Sequence, residues 1–313
     1  MSVIITGGAG FIGSHLAEKL VSDGFDVICI DNFNGDYDSS LKERNIAHLS
    51  GNRGFNLINS DLTDINGLMS CLAGMEADTV IHLAAKTNPV LSMRLPGEYV
   101  THNVSSTANI LDVSNNLGAD RFIMASSSSV YGCSSLPSKE DDPTNPQSPY
   151  ALSKLLCEIL CKSHNVLHGT SMSILRLFTV YGPRQRPDMA IHKFVSLIER
   201  GLPVEVYGDG SSSRDYTYVD DAVHGIICAM KRRGFGIFNI GSGKRTNIMD
   251  MVSLIEKSAG KRAVIRKVPM KSGDIKHTIA DIGKARKELG YSPKTCISEG
   301  VSEFVKWYRR DML

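Results

Sequence analysis

Three β-branched residues, Val3-Ile4-Ile5, run straight into Thr6-Gly7-Gly8-Ala9-Gly10-Phe11-Ile12-Gly13, and Phe11, Ile12, Leu16 and Leu20 then recur at helical spacing to Ser22. No other stretch of the chain limits its fold as much. A strand that turns on glycines into a helix opens a βαβ unit, whose next strand lies parallel to the first. The alternation continues. Strands are predicted at 26–30, 55–58, 79–83, 121–125 and 171–175, and helices at 64–72, 96–117 and 150–167. Strands this apolar, spaced by helices, imply a sheet covered on both faces and built by right-handed crossovers. The fold class is therefore α/β, a Rossmann-type doubly wound parallel sheet. The last third is richer in Gly, Pro, Ser and Lys, with turns at Gly208-Asp209-Gly210 and Gly241-Ser242-Gly243. It predicts a smaller C-terminal domain over the carboxyl edge of the sheet. The amphipathic segment 218–231 is expected to return to the main domain. The expected division is 1–177 plus about 215–240 for the larger domain, and about 178–214 plus 241–313 for the smaller.

Composition narrows the function classes. Lys plus Arg is 35 and Asp plus Glu is 33 in 313 residues, a net charge of +2. So even a balance argues against gripping nucleic acid or an anionic membrane by net charge. A hydrophobic content of 42% with 22% charged residues describes a globular chain. No apolar run reaches the 18 or so residues of a membrane span. The opening MSVIITGGAG lacks a basic segment before an apolar one, so a cytoplasmic location is expected. Seven cysteines form no CxxC pair. Cys157 and Cys161 share a helix face, yet only His164 stands near them, so reduced thiols are expected and no metal site.

The glycine loop predicts a dinucleotide site. Gly7, Gly10 and Gly13 allow a tight turn, close approach of the backbone to a pyrophosphate and tight packing of helix on strand. The phosphates would meet free amides around Phe11 and Ile12, at the positive end of the helix dipole. Asp31 ends the second strand 18 residues past Gly13, where a carboxylate accepts from a ribose diol. No basic residue directly follows it, only Asn32-Phe33, which favours NAD over NADP. Asp61 reads either as an adenine contact or as a carboxylate near a helix N-cap.

Three further pieces carry chemistry. Ser148-Pro149-Tyr150-Ala151-Leu152-Ser153-Lys154 opens a helix, with Ser148 as N-cap and Pro149 in the first turn. Tyr150 and Lys154, four apart, fall on one face, where an ammonium stabilises a phenolate. Ser126-Ser127-Ser128-Ser129-Val130-Tyr131-Gly132 follows a buried strand, at the end where ligands bind in open α/β sheets. Arg176 to Pro187 leaves the sixth strand and brings Arg184 and Arg186.

In this order the motifs resemble the NAD-dependent nucleotide-sugar epimerase/dehydratase group of the extended short-chain dehydrogenases/reductases. The resemblance rests on Gly7 to Gly13, His82-Leu83-Ala84-Ala85, Ser126 to Gly132, Tyr150 with Lys154, and Tyr207-Gly208-Asp209-Gly210 leading to Arg214-Asp215-Tyr216. It implies that Tyr150 is the base, that Lys154 binds the nicotinamide ribose and tunes Tyr150, and that Ser127 bonds the sugar O4. Asn32, Leu62 and Leu83-Ala84-Ala85 are expected along the NAD, and Arg186 and Arg214 at the diphosphate of the sugar nucleotide.

Dehydratases of the group place an Asp-Glu pair after the catalytic hydroxyl residue, and decarboxylases keep the Glu. This chain has Ser128 and Ser129 there. A 4-keto sugar without a base for its C5 proton can only take the hydride back on its other face, which is 4-epimerisation. The stretch Thr179 to Ala190 is similar to that of UDP-glucuronate 4-epimerases, in which Ser128, Ser129 and Thr179 would cradle the C5 carboxylate. The loop Lys86 to Ser92 lacks the arginine of those enzymes, with Lys86 in its place. UDP-glucose, UDP-galactose and their N-acetyl forms therefore remain open as substrates. A dehydratase or UDP-glucuronate decarboxylase is the rival reading, and a non-catalytic NAD-binding scaffold the rival of another class. The family habit also implies a homodimer through helices 96–117 and 150–167. For Leu155, Leu156, Ile159 and Leu160, interface and core are both open.

Overall fold

The computed structural model describes residues 1–34, 37–269 and 275–313. Six strands stand where the sequence predicts them: β1 (Ser2–Thr6), β2 (Asp26–Asp31), β3 (Phe55–Asn59), β4 (Thr79–His82), β5 (Arg121–Ser127) and β6 (Ser171–Leu177). A seventh, Phe235–Ile240, was not foreseen. It pairs with β6, and the sheet runs from it through β6, β5, β4, β1 and β2 to β3, every neighbour parallel. From β1 the chain winds outward to β3, then crosses back to lay β4 on the other side of β1. The loops leaving β1 and β4 therefore part in opposite directions, and a crevice opens between them.

Strand parity builds two cores. Val3 and Ile5 point into one layer, with Leu16 and Leu20 of helix α1 (Phe11–Ser22) and Ile226 of the helix Val219–Ala229. Ile4 points into the other, with Ile110 of Ser106–Asn116 and Cys157 and Cys161 of Pro149–His168. Each such buried aliphatic side chain contributes about 1.5–3 kcal/mol. A third core joins the helices Ala190–Glu199, Ile248–Ala259 and Ile297–Asp311 around Val195, Ile255 and Phe304. Helix Val219–Ala229 packs on α1, next to the strand that joins the sheet.

Two helices depart from expectation. Helix α2 (Ser39–Ile46) is mostly polar, and its start is fixed by Asp38, whose side chain accepts from the Ser40 amide. The long helix read over 96–117 is instead Pro96–Val100, a π turn Thr101–Ser105 and Ser106–Asn116. Helix α3 (Ile65–Cys71) is capped by Asp64. Helix Pro149–His168 starts as its sequence predicts, with Ser148 Oγ accepting from the Ala151 amide, and stops at Gly169 in the left-handed region.

Candidate active site

The crevice is the mouth of a cavity of about 2070 Å³. On one side it is lined by the ends of β1, β2, β4 and β5, on the other by residues 186–190 and 203–216. Every residue singled out from the sequence as a site residue lines it.

At the end of β1 the Gly7 amide donates to Ile30 O (2.8 Å), with φ at +70°. A Cβ there would stand 2.9 Å from the Ala84 backbone, so the glycine lets the loops after β1 and β4 touch. A Cβ on Gly13 would run into the Gly7 carbonyl oxygen. No side chain caps the N-terminus of α1, so its first amides face the cavity unpaired by a cap. That cradle fits a dinucleotide pyrophosphate. Asp61 accepts from the Thr63 amide (2.8 Å) and hydroxyl (2.7 Å) and from Asn32 Nδ2 (2.9 Å). It is thus braced near the cap of α3 and also lines the cavity.

His82 ends β4 and lies buried behind this loop. Its Nδ1 is 2.7 Å from Thr6 Oγ1 and its Nε2 is 3.1 Å from Thr107 Oγ1. Thr107 Oγ1 donates to Asn103 O (2.7 Å), and Thr6 Oγ1 accepts from the Ala84 amide (3.3 Å). The ring therefore serves as acceptor at Nδ1 and donor at Nε2, which is the neutral imidazole. Burial, with Lys154 nearby, holds its pKa down to about 3.

Ser127, Tyr150 and Lys154 line the cavity together. Ser127 ends β5 and caps a short 3₁₀ turn, its Oγ accepting from Ser129 N (3.2 Å) and Ser129 Oγ (2.8 Å). Tyr150, buried in the first turn of its helix, has a phenol raised above its ordinary pKa by burial. A hydrogen bond from Ser127 and the charge of Arg186 pull it back down. The pull was expected from Lys154. Lys154 is instead tied down by the Ala125 carbonyl (2.8 Å), and burial lowers its own pKa. Behind the serines, Glu158 forms a buried pair with Arg176 (2.7 Å) and accepts from Ser126 Oγ (2.5 Å). Arg176 thus belongs to the core rather than the site.

Several charged groups are already engaged. Arg186 makes a fork with Asp188 (3.1 and 2.9 Å) and donates to Thr87 Oγ1. Arg214 donates to Ser213 O (3.1 Å) and Lys276 O (3.0 Å). The neighbouring Asp215 is buried and accepts from Ser242 N, Gly243 N and Ala280 N at 2.7–3.1 Å, which anchors this segment. Lys86 is paired with Glu98 (2.6 Å) at a partly exposed edge, and its backbone is clasped by the Asn103 side chain.

The largest omission of the sequence reading is Lys42 of α2. Its Nζ lies 2.9 Å from Asp31 Oδ1. Asp31 is therefore accompanied by a cation, although none follows it directly in the chain. Asn103 was missed too. Its amide bridges Lys86 O (3.0 Å) and Ser153 Oγ (2.9 Å).

Residues 4–304 match the family model described as GDP-mannose 4,6 dehydratase. The chain belongs to that family. Within it, the chain is 36% identical over 311 residues to a UDP-glucuronate 4-epimerase of Thermodesulfobacterium geofontis, covering 99% of this chain and 96% of the relative. It superposes on a UDP-glucuronic acid 4-epimerase from Bacillus cereus, solved with UDP-glucuronic acid and NAD, with a TM-score of 0.93 and 38% identity over 99% of each chain. The UDP-glucose 4-epimerase of Thermotoga maritima, solved with UDP-glucose, superposes over the whole of both chains with a TM-score of 0.92 and 31% identity.

Proposed function

We propose that this chain is an NAD-dependent UDP-sugar 4-epimerase whose substrate is UDP-glucuronate. One observation carries the reading. Tyr150, Ser127, Ser128, Ser129 and Thr179 bring hydroxyls to the cavity, while the four carboxylates that line it among the described residues are engaged elsewhere. Asp31 and Asp61 are tied into the cradle, Asp188 is held by Arg186, and Glu205 by Arg266. None of these four is free to act as a base at C5, so among the described residues elimination of water has no agent.

Tyr150 takes the proton of the 4-hydroxyl, and Ser127, hydrogen-bonded to the phenol, holds the same oxygen. NAD, when bound, supplies the acceptor and donor of the C4 hydride. Lys154, its ammonium fixed by the Ala125 carbonyl, would hold the nicotinamide ribose of bound NAD. Arg186 and Arg214 meet the diphosphate. Ser128 and Thr179 donate to the C5 carboxylate without burying a second full charge, and Ser129 joins them when its hydroxyl turns from Ser127 Oγ to the substrate. The roomy cavity lets the 4-keto sugar turn over, so that C4 takes the hydride back on its other face while Tyr150 returns the proton to O4.

The domain division 1–177 plus about 215–240, and about 178–214 plus 241–313, belongs to the same proposal. So does a homodimer. Leu152, Ile159 and Val166 recur every seventh residue on helix Pro149–His168, with exposures of 43%, 55% and 76%. Leu155 and Leu160 pack inward on the two cores. No helix of the described residues is long and apolar enough to cross a membrane. The seven free thiols support a reducing cytoplasm.

The test is one NMR tube per sugar: purified protein with UDP-glucuronate, UDP-glucose or UDP-N-acetylglucosamine and no added cofactor. The C4-inverted glucuronate is expected. A product that has lost water or CO₂ refutes the reading, and a preference for a neutral sugar refutes the substrate. Tyr150→Phe abolishes turnover and keeps bound NAD.

A further inference from the structure

Arg184 keeps a backbone conformation that its own side chain disfavours. Its φ is +65°, in the left-handed region that a residue of this kind holds only where its surroundings fix it. What fixes it here is α1. The Arg184 guanidinium donates to Glu18 Oε2 (2.8 Å) and to Ser14 Oγ (3.5 Å), two residues four apart on one face of that helix. Glu18 Oε2 also lies 3.2 Å from His48 Nε2, and His15 Nε2 donates to Pro183 O (2.9 Å). Beyond the turn, buried Gln185 donates from its amide to Gly182 O (3.1 Å) and from its side chain to Val180 O (3.1 Å). Its carbonyl accepts from His192 Nδ1 (2.7 Å). Arg186 then enters the cavity.

We infer that Arg184 is a positioning residue for Arg186, its clamp on α1 fixing the left-handed turn that aims Arg186 at the diphosphate of the sugar nucleotide. The first turn of α1 faces the cavity and the next holds this loop, so one helix sets the place of both. Without the clamp, Arg184 relaxes towards negative φ and carries Arg186, two residues on, out of line. The inference rests on the reading of Arg186 as a diphosphate contact. The diphosphate hangs on C1, across the ring from C4. Losing that contact weakens ground state and transition state alike, so KM rises while kcat stays.

The test is calorimetric titration of UDP, together with kinetics on UDP-glucuronate, both on the NAD-loaded protein. Arg184→Gly adopts positive φ freely but has no clamp. It is expected to weaken UDP binding and raise KM by about tenfold, with kcat within about twofold and bound NAD retained. Arg184→Lys returns a cation to Glu18 and should recover most of the affinity. Glu18→Gln should match Arg184→Gly, and combining the two should add little, because each breaks the same clamp. Unchanged UDP affinity and KM in both single variants overturns the inference, and so does additive weakening in the double variant. Should Arg184→Gly not fold, Glu18→Gln decides: a raised KM at constant kcat supports the role, and an unmoved KM overturns it. Arg186→Ala with undiminished UDP binding is a different result, which removes the diphosphate reading of Arg186 itself.

Discussion

Lowering the pH from 7 to 5 will destabilise this protein through His82, and the size of the effect follows from the ring's surroundings. The imidazole titrates near 6.5 in an unfolded chain and at about 3 in the fold, where burial keeps it neutral. Between those values the unfolded state holds a proton that the folded state refuses. Stability is therefore full above pH 6.5 and falls as the pH drops towards 3. At pH 5 the interval is 1.5 units, which at about 1.36 kcal/mol per unit is roughly 2 kcal/mol. His15 adds a comparable amount, since burial and the charge of Arg184 lower it to about 4 against the opposing hydrogen bond to Pro183 O. Urea unfolding at the two pH values measures the sum. With a slope of about 3 kcal/mol/M, the His82 share moves the midpoint by roughly 0.7 M. The decisive comparison is His82→Asn, which offers an acceptor and a donor but does not titrate in this range. It is expected to lose about 2 kcal/mol of the pH dependence whatever it costs at pH 7. If wild type and variant lose the same stability from pH 7 to 5, the assignment of a buried neutral ring is wrong.

Two substitutions probe the frame of the site. Gly13→Ala drives a methyl into the Gly7 carbonyl, so the purified variant should carry little NAD, with affinity down by about tenfold or more. Normal nucleotide content by absorbance would refute the packing argument. Glu158→Ala leaves Arg176, 3% exposed, without its partner. The expected loss is about 3–5 kcal/mol by chemical denaturation, and a loss under about 1 kcal/mol would show that the arginine finds water.

The parts of the molecule legible in the sequence are those written in local pattern. The β1 glycine turn, the Ser148 cap and the spacing of Tyr150 and Lys154 each depend on a few neighbouring residues. The missed parts depend on long-range packing. Helix α2 carries only Leu41 and Ile46 as apolar residues, so periodicity could not raise it, and Lys42 was missed with it. Strand Phe235–Ile240 is interrupted by Gly236 and follows the basic run Lys231-Arg232-Arg233 with Gly234, and only its pairing with β6 marks it as sheet. The pairing of Arg186 with Asp188 lies two residues apart in the chain, yet charge alone did not say that the fork would close on a neighbour.

The π turn at Thr101–Ser105 holds one residue more than an α-helical turn would. That surplus swings Asn103 inward, where one amide ties the loop after β4 to the helix of Tyr150. A relative shorter by a single position here would regain a straight helix, and its side chains beyond the gap would rotate by about 100°. The knot between cofactor wall and reacting phenol would come undone with no change at either. Chain length at this spot, rather than the identity of any side chain, is the setting to compare across the family.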